Sequence, residues 1–214
     1  PLVKEFKTSL RTVKIADETV VKIESDDGRF GYGEAAPTAV ITGDTTSGIR
    51  GIIKNNMRSI LIGQEIENIE ELHFLIEKSA VNNSSAKAAV EMAVYDLFAQ
   101  SYGAPLYKLL GGYRDTLTSD LSISVNSPAE MKEDALKAVS DGYQVLKLKV
   151  GKGIEKDLNR VRAVREAVGE NIKIRLDANQ GWQAKEAIYI IEKMEAENLK
   201  IELIEQPVKA EDFE

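Results

Sequence analysis

The sequence contains no cysteine, which excludes disulfides and thiolate metal sites. It has a single histidine, His73, so any histidine-dependent nucleophilic mechanism would have to run through that residue. It also lacks a basic surplus: 28 Lys and Arg face 35 Asp and Glu, a net charge of −7. That argues against a bulk nucleic-acid binder, which needs a basic patch. No apolar run approaches the ~20 residues that cross a bilayer, and no signal peptide is visible. The expectation is a cytoplasmic enzyme with neither a membrane nor a nucleic-acid partner. Hydrophobic residues at 43% and charged residues at 29% are ordinary for a globular protein, and 214 residues suffice for one large domain or two smaller ones.

What the chain does have is centred on Val145-Leu-Lys-Leu-Lys-Val150. In a β-strand, residues i and i+2 share a face, so Lys147 and Lys149 project side by side among aliphatic neighbours. The plainest interpretation of such a strand is a half-exposed sheet edge with a solvated lysine face. Two further runs change it. Ile172-Lys-Ile-Arg-Leu-Asp-Ala-Asn179 ends in Asp177 and Asn179, and Ile201-Glu-Leu-Ile-Glu-Gln-Pro207 ends in Glu205. Lys149, Asp177 and Glu205 follow one another at intervals of 28 residues, with helical patterns between them. Strand and helix alternating with a period near 30 describe consecutive βα units of a parallel sheet. In a (β/α)8 barrel the strand ends carry the active site, so two lysines and two carboxylates would meet at one mouth.

Upstream, Asp120–Val125 reads as a first barrel strand, and Ser127-Pro128 as the cap and first residue of the helix after it. Gly151 and Gly153 form a G-x-G loop, a weak phosphate signal without a longer glycine motif around it. Helix 154–168 directs Leu158, Val161, Val164 and Val168 inward. The N-terminal half differs. Residues 19–25 and 30–37 flank Asp26-Asp27-Gly28, a hairpin signal. Helical spacing follows over 45–62 and 67–79, with His73 as a packing or rim residue. Ser84-Ser85 is expected to cap an alanine-rich helix reaching Ser101. Taken alone, residues 7–13 read as a solvated loop. The expected organisation is an α+β domain over residues 1–117 and a partial parallel barrel over 118–214.

Asp177 and Glu205 suit a hard divalent cation such as Mg²⁺, which takes oxygen ligands and leaves room for substrate and water. A cation beside ammonium groups stabilises an enolate and lowers a lysine pKa, so a neutral lysine can remove a proton α to a carboxylate. The competing interpretation is a purely structural salt-bridge network at the barrel mouth.

Lys-x-Lys, Asp-Ala-Asn and Glu-Gln-Pro, in this order on successive strands, resemble the enolase superfamily and its muconate-lactonizing subgroup. Gly31-Tyr-Gly-Glu-Ala-Ala-Pro37, Tyr95-Asp96 and Pro105–Gly112 resemble the subgroup's capping domain. Phe6–Val13, Ile41–Asp44 and Ser122–Pro128 are similar to the L-Ala-D/L-Glu dipeptide epimerases. The resemblance implies an α+β capping domain followed by a (β/α)8-type barrel, cut off here after about four strands. It implies Mg²⁺-dependent epimerisation of dipeptides such as L-Ala-L-Glu through an enolate. Lys149 would be the acid/base on one face of the α-carbon. Lys147 would polarise the substrate carboxylate and lower the pKa of Lys149. Asp177 and Glu205 would be metal ligands supported by Asn179, and Arg11, on a mobile capping loop, would pair with the glutamate side chain.

The subgroup commonly forms homo-oligomers. It places a third metal carboxylate and an opposing lysine on later strands. Neither is present by Glu214, so the 214 residues alone are expected to be incompetent in epimerisation and to leave the last strand as an open edge. The alternatives are another muconate-lactonizing-type activity, such as an o-succinylbenzoate synthase or a cycloisomerase, and a non-enzymatic fragment.

Overall fold

A computed structural model describes residues 1–212, which form two compact units. One is residues 17–116. The other joins residues 1–16 to the chain from Leu117 onward.

Residues 1–16 supply two short antiparallel strands, β1 (Phe6–Lys7) and β2 (Thr12–Val13), around a tight loop at 8–11. The stretch that reads as a solvated loop is thus a turn held at both sides.

In the unit 17–116, β3 (Thr19–Glu24) and β4 (Phe30–Ala35) pair antiparallel from Thr19↔Ala35 to Glu24↔Phe30. Gly28, at φ +84°, makes the turn that the Asp-Asp-Gly signal predicts. Three helical segments follow: α1 (Thr46–Ile52), a π-helical turn at Ile53–Met57, and α2 (Arg58–Leu61). The single helix expected over 45–62 is therefore interrupted by a bulge. Next, α3 (Ile69–Lys78) buries Leu72 and Ile76. His73 lies at its rim, paired with Glu91 Oε1 at 2.7 Å. The long α4 (Ser84–Ser101) packs on β4, and α5 (Leu106–Leu109) closes the unit. Alanines on α4 meet glycines on β4 at backbone distance. A Cβ at Gly31 would stand 2.0 Å from the Ala93 carbonyl oxygen, and one at Gly33 1.9 Å from that of Ala89.

The cap of α4 corrects the sequence expectation. Ser84 and Ser85 lie inside the helix, and Asn83 before them adopts a left-handed φ of 55° with its amide donating to the Val81 carbonyl. The capping carboxylate comes from Asp44, whose Oδ2 accepts from Ser85 Oγ at 2.6 Å and Ser85 N at 3.3 Å. The Ser85 hydroxyl outweighs the effect of burial and holds the Asp44 carboxyl below its ordinary range. Asp44→Ala is expected to cost about 1 kcal/mol. Because the folded pKa is depressed, the stabilisation is full above the unfolded value of 3.8 and fades as pH falls through the folded pKa. Urea unfolding of both proteins should show a gap at pH 7 that narrows below pH ~4.

In the other unit the chain alternates β5 (Leu121–Ile123), α6 (Pro128–Ser140), β6 (Val145–Lys149), α7 (Ile154–Val168), β7 (Lys173–Asp177), α8 (Ala184–Ala196) and β8 (Ile201–Glu205). The strands form one parallel sheet in the order β5-β6-β7-β8. The dilysine strand β6 is interior, so the edge interpretation fails: both of its sides are paired. β5 is shorter than the expected 120–125. Ser127 caps α6 as predicted, in a capping box with Glu130 and with Pro128 at the first turn. Leu146, Leu148, Val150, Ile174 and Leu176 pack under Met131, Leu158, Val161, Val164, Ile190 and Met194 of the helices. Buried Arg165 lies among them, its guanidinium donating to the carbonyls of Leu199, Gly169, Ile172 and Lys200, which satisfies a charge that burial would otherwise penalise. No helix among the described residues is long and apolar enough to cross a membrane.

Candidate active site

Parallel pairing aligns Lys149 with Asp177 and Asp177 with Glu205. The 28-residue spacing in sequence thus becomes one row across three strand ends. Lys147 sits two residues earlier on the same face of β6 and reaches the same row. Its Nζ lies 2.6 Å from Glu205 Oε2 and 3.2 Å from Asp177 Oδ2. Lys149 Nζ lies 2.6 Å from Asp177 Oδ2. Asp177 is almost wholly buried and the Glu205 side chain is 43% exposed, so the row runs from the interior toward solvent.

The electrostatics follow from this packing. Burial of Lys147 works to lower its pKa, but the hydrogen bonds it donates to Glu205 and Asp177 prevail and leave it raised. Burial of Asp177 works to raise its pKa, but the Lys149 ammonium and the Asn179 amide prevail and leave it lowered. Lys147, Lys149, Asp177 and Glu205 thus form a salt-bridge network. It lies where a barrel carries its chemistry, so the structural and the functional interpretations describe the same residues.

The loops beyond the strands are locked to one another. Asn179 and Gln180 follow β7 in left-handed conformations, at φ +44° and +64°. Asn179 N donates to Asp177 Oδ1 at 2.8 Å, and Asn179 Oδ1 is buried without a partner among the described residues. Gly151, at φ +91°, and Gly181 meet back to back, a Cβ at Gly181 falling 2.5 Å from the Gly151 carbonyl oxygen. The G-x-G turn is no phosphate cradle: Gly151 N and Lys152 N both donate to Asp157 Oδ2, at 2.9 and 3.0 Å. Trp182 Nε1 donates to the same oxygen at 3.0 Å, and Arg160 Nη1 to Asp157 Oδ1 at 2.7 Å. Asp157 is 0% exposed. The sequence reasoning passed over it, although a signal was there: 157, 161, 164 and 168 share one helix face, so this acid interrupts an apolar stripe.

Arg11 lies apart from the lysine–carboxylate row. With Lys7, Lys152 and Arg160 it lines a cleft of about 320 Å³, and among the described residues its guanidinium has no ion-pair partner. Phe6, at the start of that segment, places its ring centroid 5.9 Å from Lys149 Nζ, a neighbour the sequence reasoning also missed.

Whether these residues suit a divalent metal rests on their donor set. Asp177 and Glu205 already converge on one cation, the Lys147 ammonium, and Asn179 adds an unpartnered buried oxygen. All are hard oxygen donors and fit Mg²⁺. Among the described residues no group of three His, Cys, Asp or Glu is positioned to hold a metal.

A parallel sheet with basic and acidic residues aligned at its strand ends defines the class. The chain belongs to the mandelate racemase/muconate lactonizing enzyme family of the enolase superfamily. Residues 1–111 match the mandelate racemase/muconate lactonizing enzyme N-terminal domain, and residues 130–214 match the enolase C-terminal domain-like model. Among its relatives is the L-Ala-D/L-Glu epimerase of Clostridium acetobutylicum, 51% identical over 100% of this chain and 60% of that protein. A substrate-liganded L-Ala-D/L-Glu epimerase from Bacillus subtilis superimposes with a TM-score of 0.97 at 50% identity, over 99% of this chain and 59% of that one. A dipeptide epimerase from Enterococcus faecalis, complexed with Mg and L-Leu-L-Tyr, superimposes with a TM-score of 0.94 at 42% identity, over 99% and 59%. The chain spans about 60% of the length of the curated relatives it matches.

Proposed function

We propose that this chain carries the Lys149 half of a dipeptide-epimerase site, acting on acidic dipeptides such as L-Ala-L-Glu. The observation behind this is the single row Lys149–Asp177–Glu205, with Lys147 bridging its carboxylates. The likeness to two L-Ala-D/L-Glu epimerases supports it. Mg²⁺ held by Asp177 and Glu205 would act as a Lewis acid on the substrate carboxylate and acidify the adjoining C–H. Lys147 binds and orients that carboxylate. Lys149 Nζ removes or returns the α-proton on its own face. Asn179 supports Asp177, whose Oδ1 is fixed by the Asn179 amide. Phe6 shields Lys149 on one side. Arg11, which has no ion-pair partner among the described residues, takes the glutamate side chain. In this reading residues 1–117 are the capping domain and 118–214 the barrel portion. Inversion needs a second acid/base on the opposite face, which the row does not provide.

The test is epimerisation of L-Ala-L-Glu, followed by polarimetry and by proton NMR in D₂O. It uses a polypeptide carrying residues 1–214 together with the further length the relatives have. Turnover that requires Mg²⁺ is expected. Arg11→Met should lower kcat/KM for L-Ala-L-Glu about 10²-fold, the loss of one charged hydrogen-bonded pair. Neutral dipeptides should be little affected. Unchanged kinetics on acidic dipeptides would remove the assignment and favour another muconate-lactonizing-type reaction.

A further inference from the structure

The dipeptide-epimerase reading makes Arg11 the group that reads the substrate side chain, and the structure shows what holds Arg11. We propose that Ser9 and Lys152 form a two-point latch that fixes the Arg11 loop to the ends of β6 and β7, and so sets the preference for acidic dipeptides.

Ser9 Oγ donates to the Asn179 carbonyl at 2.7 Å, and Lys152 Nζ donates to the Ser9 carbonyl at 2.6 Å. Residue 9 also rests directly on the turn after β6: a Cβ at Gly151 would lie 3.0 Å from Ser9 Cβ. Within the loop, Thr8 N donates to the Arg11 carbonyl at 2.9 Å, and Thr8 Oγ1 accepts from the amides of Leu10 and Arg11 at 3.2 Å each. Such a turn moves as one piece, so fixing Ser9 fixes the backbone of Arg11. The stalk of the loop is anchored separately. Lys7 N donates to Ser124 Oγ at 3.2 Å, Lys7 Nζ donates to Asn126 Oδ1 at 3.1 Å, and Val125 N donates to the Lys7 carbonyl at 3.1 Å. The latch therefore governs the tip alone.

Both anchor points are rigid and catalytic in address. Asn179 is bound to Asp177, and Lys152 has its backbone pinned by Asp157. A substrate carboxylate on Arg11 and the α-carbon at Lys149 would be referred to the same frame. Preorganising a loop in its binding position improves affinity by sparing the entropy of ordering it. Releasing the loop should therefore raise KM and leave the chemical step alone.

Ser9→Ala, which leaves the charges lining the Arg11 cleft in place, separates a latch from direct attraction by Lys152; Lys152→Met is its companion, and both are measured in two settings. In the 214-residue chain, amide hydrogen exchange of residues 9–11 should accelerate while that of β6 stays unchanged. In the completed polypeptide, each variant should raise KM for L-Ala-L-Glu about fivefold, the loss of one hydrogen bond. Their combination should exceed tenfold, with kcat within about twofold. KM for a neutral dipeptide should not move, and Ser9→Thr should restore the parent value. An unchanged acidic-to-neutral preference in the double variant, with Arg11→Met still showing its loss, overturns the latch and leaves the epimerase reading intact. Equal loss of kcat on both substrates, with faster exchange in β6, also overturns it, in favour of a purely structural role. If Arg11→Met itself changes nothing, both readings fall, since the latch then positions no recognition group.

Discussion

Lys149→Met is expected to lower turnover of L-Ala-L-Glu by about three orders of magnitude, within the range that a positioned general acid/base supplies. Deuterium exchange into the α-position from the face that Lys149 serves should disappear with it. The substitution should leave the fold in place. Asp177 would lose its 2.6 Å partner, but Lys147 remains 3.2 Å from the same oxygen, so the buried carboxylate stays paired. Met also keeps an unbranched aliphatic side chain of similar length at this position. Circular dichroism should match the parent, and stopped-time NMR in D₂O should show no exchange. Appreciable exchange in the variant would transfer the proton-removing role to another group.

Asp157→Ala is expected to destabilise the barrel unit by about 3–5 kcal/mol, the cost of breaking a buried charge pair and leaving its partners unmet. One carboxylate serves two backbone amides, the Trp182 indole and the Arg160 guanidinium. Without it, three buried neutral donors lose their acceptor, and the Arg160 guanidinium keeps only the Asn126 carbonyl. Asn should be milder, because it retains one acceptor oxygen but turns an amide donor toward donors. The single tryptophan supplies the readout: Trp182 is 2% exposed, and its emission should shift to longer wavelength at a lower denaturant midpoint. A midpoint within experimental error of the parent would show that the loops after β6 and β7 hold each other without Asp157.

The barrel half of the molecule was legible in its sequence for a physical reason. Parallel strands repeat at a near-constant interval, so the row Lys149, Asp177, Glu205 appears as equal spacing before any fold is known. Binary patterning located the helices between them, and Ser127-Pro128 announced its own cap. Contacts that cross the sequence were hidden. Asp44 caps a helix 41 residues away, and Ser9 touches Asn179 across 170 residues. A local motif such as Ser84-Ser85 loses to such a contact because hydrogen bonds to the ionised Asp44 carboxylate are stronger than those to a neutral hydroxyl. Asp157 was hidden differently. It stands on the apolar face of α7, where attention goes to the valines, and its partners are backbone amides that every residue possesses. The chemistry of Arg11 came from resemblance. Its structure adds the cationic cleft, which neither spacing nor composition could show.

The contact between β4 and α4 bears on how reliably the unit of residues 17–116 assembles. Gly31 and Gly33 leave no room for a side chain against Ala93 and Ala89, whereas the residues that alternate with them, Tyr32 and Glu34, face the other way. If β4 slipped by one position against the helix, a phenol and a carboxylate would be driven into a gap that cannot admit a methyl group. Alignment of the hairpin is thus checked by steric exclusion. A chain that pairs its strands wrongly cannot dock its helix, and must unpair before it can fold further.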